Sequence, residues 1–355
     1  MIKRIISLVL SSILLMSLFS CGNEVVEEET PSEYYTADFF AMDTDVTVKL
    51  ARDTGNTEEG KTLYHDDAHL SQIAKECADI AANIEAKISR TKEDSVIAEL
   101  NAEGDYFLDI DPEVQELIYK SLGISDLTDG AYDITIGTVT ELWNITGVGP
   151  IVPSDEKINE AKSHVGYKKI KMDDANFRKE DRKTKLDLGA IGKGYALGKI
   201  IEYLKTTDIT YGLVSFGGNV GVFGDKPETG TFKVGITDAK ETSKVSSYVF
   251  IDHEYVSVSG DYERFFITNG VKYSHIFDPA TGRPADTDIT SVAVICEDPD
   301  IGDALSTALF VKGSAGTLEF YEKLKSLDTT IWNFEAVIQT KDGDLIITDG
   351  LKNSS

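Results

Sequence analysis

Apolar residues recur at three- and four-residue steps through Leu70, Ile73, Ala74, Cys77, Ile80, Ala81, Ile84 and Ile88. That spacing predicts one buried face on a helix of about five turns. Ahead of it, Phe39–Leu50 reads as a strand, because Val46, Val48 and Leu50 alternate with Asp45, Thr47 and Lys49. Residues 53–67 are polar and contain glycine, which predicts a loop. Pro112 opens a second helix with Val114, Leu117 and Ile118 on one side. Ser154 is the expected cap of a short helix, with Lys157 at its third position. Lys193–Lys205 follows a glycine-rich turn and reads as a further helix.

From Leu213 onward strands dominate: Leu213–Phe216, Val220–Phe223, Phe232–Ile236, Tyr248–Ile251, Val256–Ser259, Arg264–Thr268 and Ser291–Ile295. Helices are expected over Ile301–Lys312 and Ala315–Lys325, then strands over Phe334–Gln339 and Asp344–Ile347. Helices mixed with antiparallel hairpins, without a repeat or heptad run, predict the α+β class.

The N-terminus has a different pattern. Lys3 and Arg4 precede an almost wholly apolar run, Ile5–Phe19, which is short for a membrane span and suits a signal peptide. It ends in Leu18-Phe19-Ser20-Cys21-Gly22, which resembles a bacterial lipobox. The expectation is a signal over 1–20 and lipidation at Cys21. This places the protein on the extracytoplasmic face of a membrane as a lipoprotein. An acidic tether follows over 21–36, with Glu24, Glu27, Glu28, Glu29 and Glu33, and then one domain over 37–350.

Charge narrows the function. The 355 residues carry 35 Lys+Arg against 61 Asp+Glu, a formal charge of −26. That excess argues against bulk nucleic-acid binding and against adsorption to anionic lipid through a basic face. Three cysteines rule out a disulfide framework. Cys77 sits on the helix stripe and Cys296 ends an apolar strand, so both are expected as buried thiols.

Five segments carry chemistry. Asp187–Tyr195 holds three glycines before a helix, a turn that lets backbone approach an anion but also serves as a plain helix start. It lacks P-loop and dinucleotide-fold spacing. Ser215–Val220 places Gly217-Gly218-Asn219 between strands, a hairpin turn or a close passage past a ligand. Val256–Phe266 breaks at Gly260; Ser259 and Asp261 are candidates to face a site, and Arg264 reads equally as a surface residue. Ser274–Pro284 sets His275 before a rigid Asp-Pro and Thr-Gly turn. Asp303 and Thr307 are at i and i+4, hard oxygens on one helix face that suit Mg²⁺ when substrate phosphates complete the shell; an acid stabilising the helix dipole is the plainer reading.

Together and in order, these segments resemble the ApbE family, the FAD:protein FMN transferases. The matching stretches are Ala41-Met42-Asp43-Thr44, Gly130–Thr135, Asp187–Tyr195, Gly217-Gly218-Asn219, Ser259–Arg264, His275–Pro284 and Asp303–Thr307, spanning about residues 37 to 313. The resemblance implies a T-fold-related α+β domain of largely antiparallel sheets with packed helices. It implies Mg²⁺-dependent transfer of FMN from FAD, as substrate, to a threonine hydroxyl of an acceptor flavoprotein, with release of AMP. The acceptor it suggests belongs to an extracytoplasmic electron-transfer system.

By position, metal ligands fall on the Ala190 carbonyl, Asp303 and Thr307. Flavin contacts fall on Met42, Ala131, Tyr132, Asp133, Lys193 and Phe277. His275 is the candidate base, with Asp303 as a metal-side alternative. Two positions depart from the family: Asp43 stands where glycine is usual, and Thr91 where an aromatic ring is often found. FAD hydrolysis to FMN and AMP, and non-catalytic flavin binding, are the alternative activities.

Overall fold

Val46, Val48 and Leu50 are fully buried on one face of their strand, as the alternation predicts. The strand is one arm of a hairpin. In the computed structural model, which describes residues 32–352 except 103, 174–175 and 327–332, Phe39–Leu50 is not continuous. Strand β1 (Tyr34–Ala41) turns at Met42-Asp43 into β2 (Thr44–Ala51), with Ala41 opposite Thr44. Both turn residues have positive φ, 50° and 59°, which a two-residue hairpin of this twist requires. A methionine there gives no turn signal. The expected signal, lipidated Cys21 and most of the tether lie outside the described residues.

Six more strands complete one sheet: β3 (Gly212–Phe216), β4 (Asn219–Phe223), β5 (Tyr255–Gly260), β6 (Ile289–Cys296), β7 (Glu335–Thr340) and β8 (Leu345–Ile347). They pair antiparallel in that order from β1 to β8. Central β5 and β6 are buried along almost their whole length, whereas edge strand β1 alternates. The sequence of β6 is nearly continuously apolar, whereas β5 alternates valine with serine.

The principal helices are α1 (Asp67–Ile88), α2 (Pro112–Leu127), α3 (Gly192–Leu204) and α4 (Pro299–Lys325). The α1 stripe is buried from Leu70 to Ile88. Helix α3 packs on β3 and β4, α4 on β5 and β6, and α1 on α3. Aspartates at the N-caps of α1, α2 and α4 accept backbone N–H bonds, and Pro112 and Pro299 open the last two. Helix α4 breaks at Gly313 (φ 72°), where the sequence predicts separate helices. Cys77 and Cys296 are buried free thiols, both pushed up to about 12 by burial.

Residues 53–67, expected as a loop, contain a hairpin of Asp53–Glu58 and Lys61–Tyr64. Its strands are polar and largely exposed, so no apolar alternation marks them. Short helices Val96–Asn101 and Gly137–Trp143 were likewise too brief to show periodicity.

Helix α3 approaches α4 closely at Gly194. A Cβ on Gly194 would lie 2.1 Å from the Pro299 carbonyl and 2.7 Å from the Asp303 Cβ. Both obstacles belong to a helix that cannot yield cheaply. Gly123, inside α2, has open space around it. Gly194→Ala should therefore lower stability by about 1–3 kcal/mol, and Gly123→Ala should raise it by up to about 1 kcal/mol. Urea midpoints at constant m-value measure both. A wild-type midpoint for Gly194→Ala would refute the close α3–α4 approach.

Candidate active site

Met42, Ala131, Tyr132, Asp133, Ala190, Lys193, His275, Phe277 and Thr307 line one cavity of about 540 Å³. Positions far apart in sequence thus converge on one space. Asp303 is 2 % exposed and sits behind Lys193. A larger cavity of about 1110 Å³, bordered by Tyr248, Cys296, Tyr321 and Phe334, is lined by none of these ten residues.

The cavity floor is built where α3 begins. Its N-cap residue, Ile191, supplies no side-chain hydrogen bond. The cap comes from α4: the Gly194 N–H donates to Asp303 Oδ2 at 2.9 Å. Gly194 is the third residue of the helix, so its N–H is one of the orphan donors of the N-terminus; the first bond within the helix runs from the Tyr195 N–H to the Ile191 carbonyl. Asp303 satisfies that orphan donor, and among the described residues no hydrogen bond reaches the carbonyl of Ala190, which precedes the N-cap. Asp303 Oδ1 faces Lys193 Nζ at 3.3 Å, longer than a strong charge-assisted bond. Ser259 Oγ bridges Ser306 Oγ at 2.8 Å and Thr307 Oγ1 at 3.3 Å. A carbonyl without a donor, a nearly buried carboxylate and a hydroxyl make a hard-oxygen set. That set fits Mg²⁺, with water and phosphate oxygens left to complete its shell.

The opposite wall carries His275. Ile276 belongs to the main core, and Phe277 to a second, smaller core with Val139, Trp143, Ile145 and Ile158. The Trp143 indole N–H donates to the Gly282 carbonyl at 2.9 Å, tying that core to the turn after Asp278. His275 Nδ1 lies 3.2 Å from the Arg264 carbonyl, so Nδ1 carries the proton and Nε2 keeps the lone pair. Burial, reinforced by the charges of Lys193 and Arg264, lowers its pKa to about 4. The imidazole is therefore neutral at neutral pH.

Arg264 joins two walls. Its Nη2 donates to the Asp43 carbonyl at 2.6 Å, and its own carbonyl accepts from the His275 backbone and ring. The sequence offered Arg264 equally as a surface residue; it lines the cavity, and a bond across 221 positions leaves no local signal. Ser259 also faces the cavity. Asp261 does not line it, and pairs with Lys272 at 2.9 Å.

On the side where flavin contacts are expected, the Asp133 carboxylate accepts from Thr135 N, Thr135 Oγ1 and Tyr167 N. Burial outweighs these bonds and raises its pKa. Tyr132 turns its ring inward, and its hydroxyl donates to Ser121 Oγ at 3.3 Å. Both residues shape the wall through structure they already hold. Exposed Thr91 and neighbouring Arg90 complete the rim, and Arg90 pairs with Asp187 at 3.1 Å.

Charge in the cavity is unfavourable to anions. Asp43, Asp45, Glu85, Asp133, Asp187 and Glu263 line it, against Arg90, Lys193 and Arg264. Burial raises the pKa of Glu263, an effect Lys193 opposes.

Comparison with known proteins adds a family. The model of the ApbE family matches residues 42–331. A Treponema pallidum protein named FAD:protein FMN transferase is 32% identical over 246 residues, 64% of this chain and 68% of that protein. A Vibrio cholerae protein of the same name is 26% identical over 293 residues, covering 80% and 83%. The crystal structure of the ApbE protein of Thermotoga maritima superposes with a TM-score of 0.78 at 32% identity, covering 90% of this chain and 98% of that one. The apo flavinyl transferase ApbE of Pseudomonas stutzeri gives 0.75 at 26%, covering 90% and 96%.

The lowered pKa of His275 has a measurable consequence. Between its unfolded value near 6.5 and about 4, the unfolded chain binds the extra proton and the folded chain does not. Stability contributed at this site is therefore lost as pH falls through that window. NMR titration should place the His275 midpoint near 4, and His275→Gln should lose less stability than wild type between pH 6.5 and 4.5. A midpoint at or above 6.5 would contradict the burial argument.

Proposed function

The chain belongs to the ApbE family, and on that premise we propose that it is a Mg²⁺-dependent FAD:protein FMN transferase. The FMN half of FAD passes to a threonine hydroxyl of an acceptor flavoprotein, and AMP is released. The observation that carries this reading is the hard-oxygen set at the cavity floor: the Ala190 carbonyl, which accepts no hydrogen bond among the described residues, Thr307 lining the same cavity, and Asp303 behind Lys193.

Asp303, Thr307 and the Ala190 carbonyl would hold the metal, which when bound supplies positive charge to the pyrophosphate oxygens. Lys193 is the protein's own cation at that pole and binds the same oxygens. Met42, Phe277 and the wall from Ala131 to Asp133 take the flavin. In the transfer, the threonine oxygen bonds to the FMN phosphorus and the bond from that phosphorus to the AMP oxygen breaks. His275 Nε2 accepts the threonine proton. A neutral imidazole is present as base throughout the physiological range, and a bound pyrophosphate strengthens it by favouring the imidazolium.

Thr91 leaves an exposed gap in the wall, which favours water as a competing acceptor. FAD hydrolysis is thus the second reading, and flavin binding without chemistry is the third. The protein is also proposed to be exported and lipid-anchored through Cys21, with an extracytoplasmic electron-transfer flavoprotein as its acceptor. Among the described residues no helix is long and apolar enough to cross a membrane.

Incubation of the protein with FAD and Mg²⁺, with and without an acceptor domain bearing a flavinylation threonine, separates these readings. AMP formed only with acceptor, together with an FMN-mass adduct, is the expected result. AMP in both reactions means a hydrolase, and AMP in neither means a binder. Chelation should abolish the adduct and weaken FAD binding. Asp303→Ala should lose at least about 100-fold in transfer rate, the scale for one electrostatic stabiliser, with FAD binding partly retained. Wild-type flavinylation by that variant would remove Asp303 from the mechanism.

Localisation is tested separately. Cys21→Ser should move the protein out of the membrane fraction of its host, and an unchanged distribution would sink the lipid anchor.

A further inference from the structure

We propose that His65, His69 and Asp208 form a binding site for a transition-metal ion of the Zn²⁺ class, separate from the flavin cavity. None of the three lines that cavity. The proposal stands independently of the transferase reading.

Three elements bring the ligands together. His65 ends the segment after the Asp53–Tyr64 hairpin, and its backbone N–H donates to the Arg52 carbonyl at 2.8 Å. His69 lies in the first turn of α1, where its N–H donates to the capping Asp66 carboxylate at 2.8 Å. Asp208 follows α3, 139 positions from His69. One candidate ligand atom from each residue lies within 4.8 Å of the others. His69 Nε2 is 2.8 Å from Asp208 Oδ1, and His65 Nδ1 is 3.9 Å from Asp208 Oδ2. Tetrahedral ligands at zinc distances stand about 3.3 Å apart, so the required shifts lie within side-chain rotation.

A histidine–aspartate ion pair alone accounts poorly for His65. Its side chain is 9 % exposed, yet Nδ1 is beyond hydrogen-bond reach of Asp208 and the buried Nε2 has no partner. A buried ring with no hydrogen bond is costly, and a metal at Nδ1, the nitrogen facing Asp208, would supply the ring with a partner on that side, leaving Nε2 as it is. Two imidazoles and one carboxylate suit Zn²⁺ and neighbouring first-row ions over Mg²⁺. Asp208 is 60 % exposed at the side chain, leaving a fourth position for water. The ion would clamp the start of α1 to the end of α3, the helix whose other end forms the cavity floor.

The test uses the full-length chain, purified without a histidine tag and stripped with chelator. Zn²⁺ is titrated against a chromophoric competitor, and thermal melts are recorded with and without Zn²⁺. His69→Ala and Asp208→Asn, both at partly exposed side chains, should each bind one equivalent fewer than wild type, or bind it at least tenfold more weakly. Their melting temperatures should rise less with Zn²⁺. Any zinc at the Asp303 pole persists in both variants and cancels in the comparison. Equal stoichiometry and affinity in wild type and variants, or no zinc uptake by wild type, would overturn the proposal.

Discussion

The hydrogen bond from the Gly194 backbone to the Asp303 carboxylate organises the rest of the site. It crosses from α3 to α4, needs a residue without Cβ at position 194, and puts a nearly buried negative charge at a helix N-terminus. That end of a helix carries a partial positive charge and unpaired donors, so the carboxylate is stabilised where it sits. One contact therefore joins two helices and caps one of them. The i, i+4 placement of Asp303 and Thr307 in sequence shows only half of this, because the other half is made by glycines in another helix.

Legibility followed the range of each interaction. The α1 stripe, the buried strands and the break near Gly313 were readable because each is a local pattern of apolar spacing or backbone freedom. The turn at Met42-Asp43 was not, because methionine at positive φ is held by its surroundings. Arg264 contributes to that hold by bonding the Asp43 carbonyl. Strain of this kind persists where neighbours over-determine it, and here it borders the cavity. Aspartate tolerates the left-handed region better than most residues, which explains how it can stand where the family usually has glycine. The second core around Trp143 was invisible for a different reason: its buried members come from three separate stretches, and none is long enough to show a period. It nevertheless fixes Phe277 and, through it, the direction of His275.

The family resemblance named all ten site residues before their contacts were known, but it did not say how each one acts. Tyr132 and Asp133 line the cavity, with the Tyr132 hydroxyl and the Asp133 carboxylate engaged by the protein itself. They are wall, placed by the turn after α2. Lys193 and Asp303, in contrast, pair at 3.3 Å, longer than a strong charge-assisted bond, so each holds the other only loosely. A motif match transfers position; the hydrogen-bond inventory decides what a position has left to offer.

Electrostatics then limits what the cavity can accept. Six carboxylates face three cations, and each cation is already engaged: Arg90 with Asp187, Arg264 with the Asp43 carbonyl, Lys193 with Asp303. A pyrophosphate entering such a space would meet net repulsion, on a chain whose overall charge is −26. The protein's own cations cannot reverse that without releasing their partners. On the proposed reading, a divalent ion held by Asp303, Thr307 and the Ala190 carbonyl would reverse it where the pyrophosphate binds. It would also draw Asp303 away from Lys193 and leave that ammonium for the substrate. On the proposed reading, the acidic lining works as selection. It favours anions that arrive with a divalent cation and repels those that do not.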